Sequence, residues 1–322
     1  MTLARDCWRR DLSGLTPQQR RSAGYAVRLL GLPRDLGAER IDTHQLALLW
    51  RMLQPLFEPQ GLASYLRPPP PPGQACDTDG PDAATPRMSD DDIFLALRVA
   101  LKEEEEPAYP AGSDRMDEYL DLLLGRLRRL FRRIHPLTAA RLDRANPLRA
   151  PAAATVALLG ASLDLEGPAL RILDYLDELV ASPDLGPLLR HHGERTSSRI
   201  NYRRLGPVLD LSEAELRRAL AKDAPLRNLG QVVIETGHSD LVDFLRPSDL
   251  LSEVLDAARA DTEALLALLI EPAPPAEWSL TAFPHLETLA GLAGEALAEA
   301  VARRTPGVNA LLYDPPGTGK TE

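Results

Sequence analysis

The sequence predicts a mainly helical protein of several parts, and three observations carry that reading. Aromatic residues make up only 5% of the 322 residues, while Ala and Leu, both strong helix formers, abound; strands favour β-branched and aromatic side chains. Capping signals open successive stretches whose apolar residues recur at helical spacing. The length exceeds the roughly 100 to 200 residues of one domain, so two or three folded units are expected.

Residues 1–66 read as a small helical unit. Thr16-Pro17-Gln18-Gln19 joins an N-cap threonine, a proline at the first helical position and a glutamine at the third, which predicts a helix to about Leu30. A second helix, Thr43 to Phe57, carries Leu46, Leu49, Trp50 and Leu53 on one face. Residues 67–88, opening RPPPPPGQACDTDG, are a proline-rich linker, read as a solvated spacer in preference to a docking ligand. Residues 89–150 form a helical region. Ser89 caps DDDIFLALRVALK, whose acidic first turn suits the positive end of the helix dipole, and the EEEE run at 103–106 with Pro107 ends it. Asp117 to His135 is a basic amphipathic helix. It is read as a surface helix whose arginine stems cover core, in preference to a membrane-lying or partner-gripping one.

Residues 151–270 form a second helical region, beginning with the stretches ATVALLGASL and PALRILDYLDELVA. Within it, residues about 197–245 match a winged-helix pattern. NYRRLGPVLDLSEAELRRAL reads as helix, turn and helix with a Ser212/Glu215 capping box. GQVVIET is the best strand in the chain, and GHSD supplies the turn of a short β-ribbon. Pro247 to Ile270 is helical again, residues 271–277 (EPAPPAE) are a short linker, and residues 278–322 are a last module.

A net charge of −10 argues against a protein that binds polyanions through a basic tail. Cys7 and Cys76 belong to no CxxC or Cys/His pattern, so neither a disulfide framework nor a zinc site is expected. Arginine is the usual cation here, and Lys102, Lys222 and Lys320 are the lysines. The start, MTLARDCWRR, puts charges where a signal peptide needs apolar residues. The mostly apolar run from Ala150 to Leu163 is shorter than the roughly 20 residues a membrane span needs. A soluble, cytoplasmic protein without membrane contact is expected.

The strongest chemical signal is GVNALLYDPPGTGKTE at residues 307–322. An apolar, strand-like run from Val308 to Tyr313 leads into a glycine-rich loop that ends in Lys-Thr. A nucleotide-binding loop needs glycines so that backbone N–H groups can wrap phosphate oxygens, a lysine to reach the β and γ phosphates, and a hydroxyl for magnesium. Gly317, Gly319, Lys320 and Thr321 hold those positions. The segment strongly resembles the Walker A motif of bacterial AAA-type ATPases, and AFPHL, LETLAGLAGEALAEAVARR and RTPGVN resemble the approach to that module. Residues 150–270 resemble the amino-terminal half of one group of these enzymes more loosely. The resemblance implies ATP and Mg as cofactors, bound by Pro315, Pro316, Gly317, Thr318, Gly319, Lys320 and Thr321, with Thr321 on the metal. It also implies ring oligomers of complete family members that remodel other macromolecules, hence a protein partner or substrate.

Two features depart from the family pattern. Asp314 stands where Walker A opens with a small residue, adding a β-carbon and a negative charge near phosphates, about 4 kcal/mol for unit charges 4 Å apart at an effective dielectric near 20. The sequence also stops at Glu322, before the helix, acidic residues and arginine finger that turnover requires. The expectation is the amino-terminal, regulatory and partner-binding portion of an AAA ATPase, inactive by itself. The alternative is a winged-helix adaptor or weak DNA-binding regulator with a vestigial P-loop.

Other candidates are weaker. His191 and His192 adjoin Glu194 without an HExxH pattern, and Ser197 and Ser198 lie in no GxSxG elbow, so neither a metal site nor a hydrolase triad is expected. Residues 190–230 hold nine basic and five acidic residues, which favours DNA. Base-reading residues normally project from the start of the second helix, however, and that start is Ser212-Glu213-Ala214-Glu215. A protein-contact or scaffold role is therefore preferred.

Overall fold

Reciprocal side-chain caps decide where several helices begin. In α1 (Pro17–Leu30) the Thr16 hydroxyl accepts from the Gln19 N–H at 3.1 Å while the Gln19 side chain accepts from the Thr16 N–H at 3.0 Å. The same box opens α2 (Thr43–Leu53) through Asp42 and Gln45. A single 3-10 turn, Gln54–Leu56, follows α2, because Pro55 has no N–H to continue the helix. Next come α3 (Pro59–Leu66), α4 (Asp90–Ala100, capped by Ser89 with Asp92) and α5 (Asp114–Phe131). Then follow α6 (Ala154–Ser162), α7 (Pro168–Ala181) and α8 (Leu185–His191).

A computed structural model of the chain describes residues 7–32, 36, 41–67, 89–101, 114–134, 141–142, 154–165, 167–191, 195–257, 263, 265, 267, 287–303, 305 and 308. They are mainly helical, as expected, and include two small antiparallel sheets. Residues Met1–Leu269 form one compact unit and Ile270–Glu322 a second. The proline-rich linker and the 271–277 linker lie outside the described residues.

In the first unit α2 packs against α1 and α8, and α3, α4 and α5 pack on one another. The chain ahead of α1 joins this group: Arg9 N–H donates to the Leu56 carbonyl at 2.9 Å, and the Trp8 and Phe57 rings lie 4.5 Å apart. Leu123, Leu127, Leu130 and Phe131 of α5 are fully buried. Its arginines tie down neighbouring backbone, Arg126 to the Tyr65 carbonyl at 2.8 Å and Arg128 to that of Ile41 at 3.1 Å. The stems cover core, and the heads replace water at carbonyls that would otherwise lack donors.

Beyond α8 the chain runs β1 (Thr196–Ser197), α9 (Ser198–Val208), α10 (Glu213–Ala219), α11 (Pro225–Asn228), β2 (Val232–Ile234), β3 (His238–Ser239), α12 (Leu241–Phe244), β4 (Leu245–Pro247) and α13 (Asp249–Asp256). The helix–turn–helix forms as expected. The ribbon differs. β2 pairs with β4, Val233 opposite Arg246, while β3 pairs back to β1. The Gly237–Asp240 segment therefore connects two separate sheets. Asp240 accepts from the Asp243 N–H at 2.8 Å and starts α12 instead of closing a hairpin.

The turn between α9 and α10 has a near-copy earlier in the chain. Leu159-Gly160-Ala161-Ser162-Leu163-Asp164-Leu165 and Leu205-Gly206-Pro207-Val208-Leu209-Asp210-Leu211 share Leu-Gly-x-x-Leu-Asp-Leu. Asp164 and Asp210 both take left-handed backbone, with φ of 52° and 53°. The next leucine N–H returns to the glycine carbonyl at 2.8 Å in both turns. This is a Schellman helix stop with aspartate in the usual glycine place. Arg171 of α7 reaches across and donates to the carbonyls of Leu209 and Asp210 and to Asp210 Oδ2, the last at 3.0 Å. That contact offsets the left-handed cost and ties α7 to the α9–α10 turn.

Gly206 is buried in this corner, and a β-carbon there would meet the Leu211 carbonyl oxygen at 2.9 Å. Helix propensity alone favours alanine by about 1 kcal/mol, but a backbone oxygen cannot swing aside as a flexible side chain can. Gly206→Ala is expected to lose about 1 to 3 kcal/mol in urea unfolding. A gain in stability would show that the turn relaxes freely.

Candidate functional site

The P-loop residues Pro315, Pro316, Gly317, Thr318, Gly319, Lys320 and Thr321, with Asp314, lie outside the described residues. In the second unit the described element is α14 (Glu287–Ala302), which exposes Leu289, Leu292 and Val301 by 60% or more. His191 ends α8, and His192 and Glu194 lie outside the described residues. Among the described residues no group of three His, Cys, Asp or Glu side chains is placed to hold a metal ion. Ser197 precedes α9 without capping it through its side chain, and Ser198 is the first residue of that helix. The buried Cys7 thiol donates to the Gly61 carbonyl at 3.3 Å, and Cys76 lies outside the described residues.

Three of the basic residues between 190 and 230 meet acids close at hand. Arg195 pairs with Asp243 at 3.3 Å and Arg190 with Asp240 at 4.0 Å, two acids beyond the stretch in which the excess was counted. Arg217 bonds Glu213 at 2.8 Å and stacks 4.2 Å over the Tyr202 ring. Glu215 closes the capping box on Ser212, which holds its carboxyl below the ordinary range. The start of α10, where a base reader would project, thus presents two carboxylates engaged in local structure.

The densest polar cluster was not legible in the sequence. Gln18, Arg21, Ser22 and Tyr25 recur at helical spacing on α1, and Asp174, Asp177 and Glu178 do so on α7, so each set shares one helix face. The two faces meet in the interior. Arg21 Nε donates to Glu178 Oε2 at 2.6 Å, and Nη1 donates to Asp177 Oδ2 at 2.8 Å and Asp174 Oδ1 at 3.2 Å. Gln18 and Ser22 also donate to Glu178, and Tyr25 donates to Asp174 at 3.1 Å. Arg21, Asp174, Asp177 and Glu178 are each 5% exposed or less.

One guanidinium among three buried carboxylates leaves surplus negative charge, and the acids respond. Burial pushes the Glu178 carboxyl up to about 6 against the pull of Arg21. Asp177 is raised for the same reason. Burial would lower the Arg21 pKa, yet the summed attraction of Glu178, Asp174 and Asp177 raises it. Burial, followed by the Asp174 charge, holds the Tyr25 hydroxyl far above its ordinary value.

Two cavities open beside α2. One, of about 740 Å³, is lined by Trp50, Arg51, Gln54, Phe57, Pro59, Leu62, Phe94 and Arg98. The other, of about 170 Å³, lies over Gln18, Ser22 and Asp184. Arg51 borders both and is fixed by a 2.7 Å bond from Nε to Asp184. No helix among the described residues is long and apolar enough to cross a membrane. Comparison of the chain with family models, with curated proteins and with solved structures finds no match.

Glu178 gives the cluster a defined pH response. Its folded pKa lies above the ordinary value of 4.5, so its contribution to stability is full below about pH 4.5 and is lost as pH rises through about 6. A shift of this size corresponds to about 2 kcal/mol. Glu178→Gln keeps the shape and removes the titration. Measured by denaturant midpoints from pH 4.5 to 7, the variant should gain on the wild type as pH rises. Parallel profiles would show that Glu178 stays ionised throughout.

Proposed function

We propose that the chain is the amino-terminal, regulatory and partner-binding portion of an AAA-type ATPase. The observation that carries this reading is the segment GVNALLYDPPGTGKTE, whose glycines, lysine and threonine are the donor set that magnesium and a nucleoside triphosphate require. Backbone N–H groups around Gly317 and Gly319 would wrap phosphate, Lys320 would reach the terminal phosphates, and the Thr321 hydroxyl would face magnesium. Asp314 opposes phosphate approach and sets the loop apart from an optimised one.

Support for a partner-binding role comes from the first unit. Its helices share one continuous buried core, a rigid platform for presenting a surface. In the winged-helix-like segment Arg217 is held by Glu213, and the start of α10 presents the Glu213 and Glu215 carboxylates, which favours protein contact over DNA. A ring assembly belongs to the complete enzyme.

The reading is tested by photolabelling the 322-residue protein with azido-ATP and magnesium, then mapping the label. Labelling should fall within residues 307–322, compete with unmodified ATP and disappear in Lys320→Ala. Asp314→Gly should strengthen it, by about tenfold in affinity for each 1.4 kcal/mol recovered. Labelling that survives Lys320→Ala, or none at millimolar nucleotide, contradicts the assignment.

A further inference from the structure

We infer that the free edge of β2 takes an extended peptide segment as an added antiparallel strand, one whose outer face carries two apolar side chains flanking a carboxylate. The inference rests on the partner-binding part of the reading above, and its test needs no nucleotide, so the two can fail separately.

The register of the ribbon decides which backbone groups are free. Ser248 N–H donates to the Gln231 carbonyl at 2.9 Å, and Glu235 N–H to that of Phe244 at 3.1 Å. Alternate residues of an antiparallel pair exchange hydrogen bonds with the partner strand. Val233 therefore bonds across to Arg246, and the N–H and C=O of Val232 and Ile234 point away from β4. Among the described residues no strand pairs with that side of β2 and no hydrogen bond reaches it. The two edges of the ribbon are not equivalent. β4 carries Pro247, which has no N–H to offer, and the charged Arg246, both features that blunt an edge. β2 is Val232-Val233-Ile234, strong strand formers without charge or proline. Main-chain donors and acceptors at strand spacing are met by another extended backbone.

The outer face supplies the side-chain chemistry. Among the described residues of the first unit, the large apolar side chains left exposed are Leu122, Leu229, Val233 and Leu250. The last three belong to this ribbon or its ends: Val233 is on β2, and Leu229 and Leu250 each lie two residues from the Gln231–Ser248 bond. Arg246 is exposed opposite Val233, and its guanidinium has no partner among the described residues. Glu235 on the same face is occupied, accepting from the Gly237 N–H at 2.9 Å. An unmatched cation on an otherwise apolar face selects a carboxylate. A second copy fits less well. At 38 to 48% exposure the three apolar side chains offer far less than the ~800 Å² per partner that a stable protein–protein interface buries. An added strand needs less area, because main-chain hydrogen bonds carry affinity and alternate side chains add selectivity.

The test is an NMR titration of the full 322-residue protein, isotope-labelled, with the peptide acetyl-Ser-Val-Thr-Glu-Thr-Val-Ser-amide, which puts Val, Glu and Val on one face of a strand. Saturable shifts centred on the amides of Val232 and Ile234 are expected. Methylating the backbone nitrogens of both threonines, whose N–H groups face β2 in an antiparallel addition, should weaken binding at least about tenfold. Methylating that of the glutamate, which faces solvent, should change it less than about threefold. Replacing the peptide glutamate by lysine should weaken binding about fivefold or more, and Arg246→Glu should restore binding of the lysine peptide. Leu229→Ser with Leu250→Ser should weaken it about fivefold with circular dichroism near wild type, since both side chains are exposed. Equal binding of the threonine-methylated peptide overturns the proposal, as does a lysine peptide that binds Arg246→Glu no better than wild type. So do shifts centred away from the ribbon, or none at millimolar peptide. A dimer in sedimentation equilibrium that the double serine variant dissolves assigns the face to a second copy and also overturns it.

Discussion

Arg21 is shared by three buried carboxylates at 2.6 to 3.2 Å, and the arrangement of the first unit depends on that sharing. Buried charge is tolerated only when paired and hydrogen-bonded, and removing one partner of such a set typically costs several kcal/mol. The register of α1 against α7 is therefore specified as well as stabilised: a shift of one residue would turn Arg21 away from all three acids. Greasy contacts alone would allow such slippage, because both helices are otherwise lined with Leu and Ala. Gln18, Ser22 and Tyr25 complete the cluster by donating to the same acids.

From that fixed pair the rest follows by contact. Helix α7 also packs against α6, α8, α10 and α13, and α1 against α2, α8 and α9. Arg171 extends the polar connection from α7 to the α9–α10 turn. Arg51 extends it from α2 to the turn before α8 through Asp184. Each of these arginines holds a backbone turn or a carboxylate at a defined place. The cavity over Trp50 and Phe57 inherits its geometry from the same arrangement, since Arg51 is both a strut and part of its lining.

Much of the helical content was legible because its signals are local. The caps at Thr16, Ser89 and Ser212 each consist of a side chain and a backbone N–H three residues apart, and the structure shows all three boxes. Helix α8 stands outside the two helical stretches read ahead of it, ATVALLGASL and PALRILDYLDELVA; the Ser182 hydroxyl accepts from the Leu185 N–H at its start, a cap without the capping-box partner three residues on that marks those three. The ribbon was misjudged because strand partners are a non-local property: β2 finds β4 across a four-residue helix that sequence pattern did not separate from loop. The Arg21 cluster was hidden for a stronger reason. Polar residues at helical spacing describe a solvent face equally well, and only the fold brings residues about 150 positions apart together. The repeated Leu-Gly-x-x-Leu-Asp-Leu stop could have been found by self-comparison, since both copies stand in the sequence 46 residues apart.

The account holds that α1 and α7 are clamped into one cooperative element by Arg21. Native-state hydrogen exchange of the full protein, read residue by residue, measures this directly. The account predicts that amides of Ser22–Val27 and of Ile172–Leu176 exchange with the same free energy and the same denaturant dependence, opening only together. Exchange of the α1 amides through a smaller, independent opening while α7 stays protected would show that the clamp does not hold the two helices together.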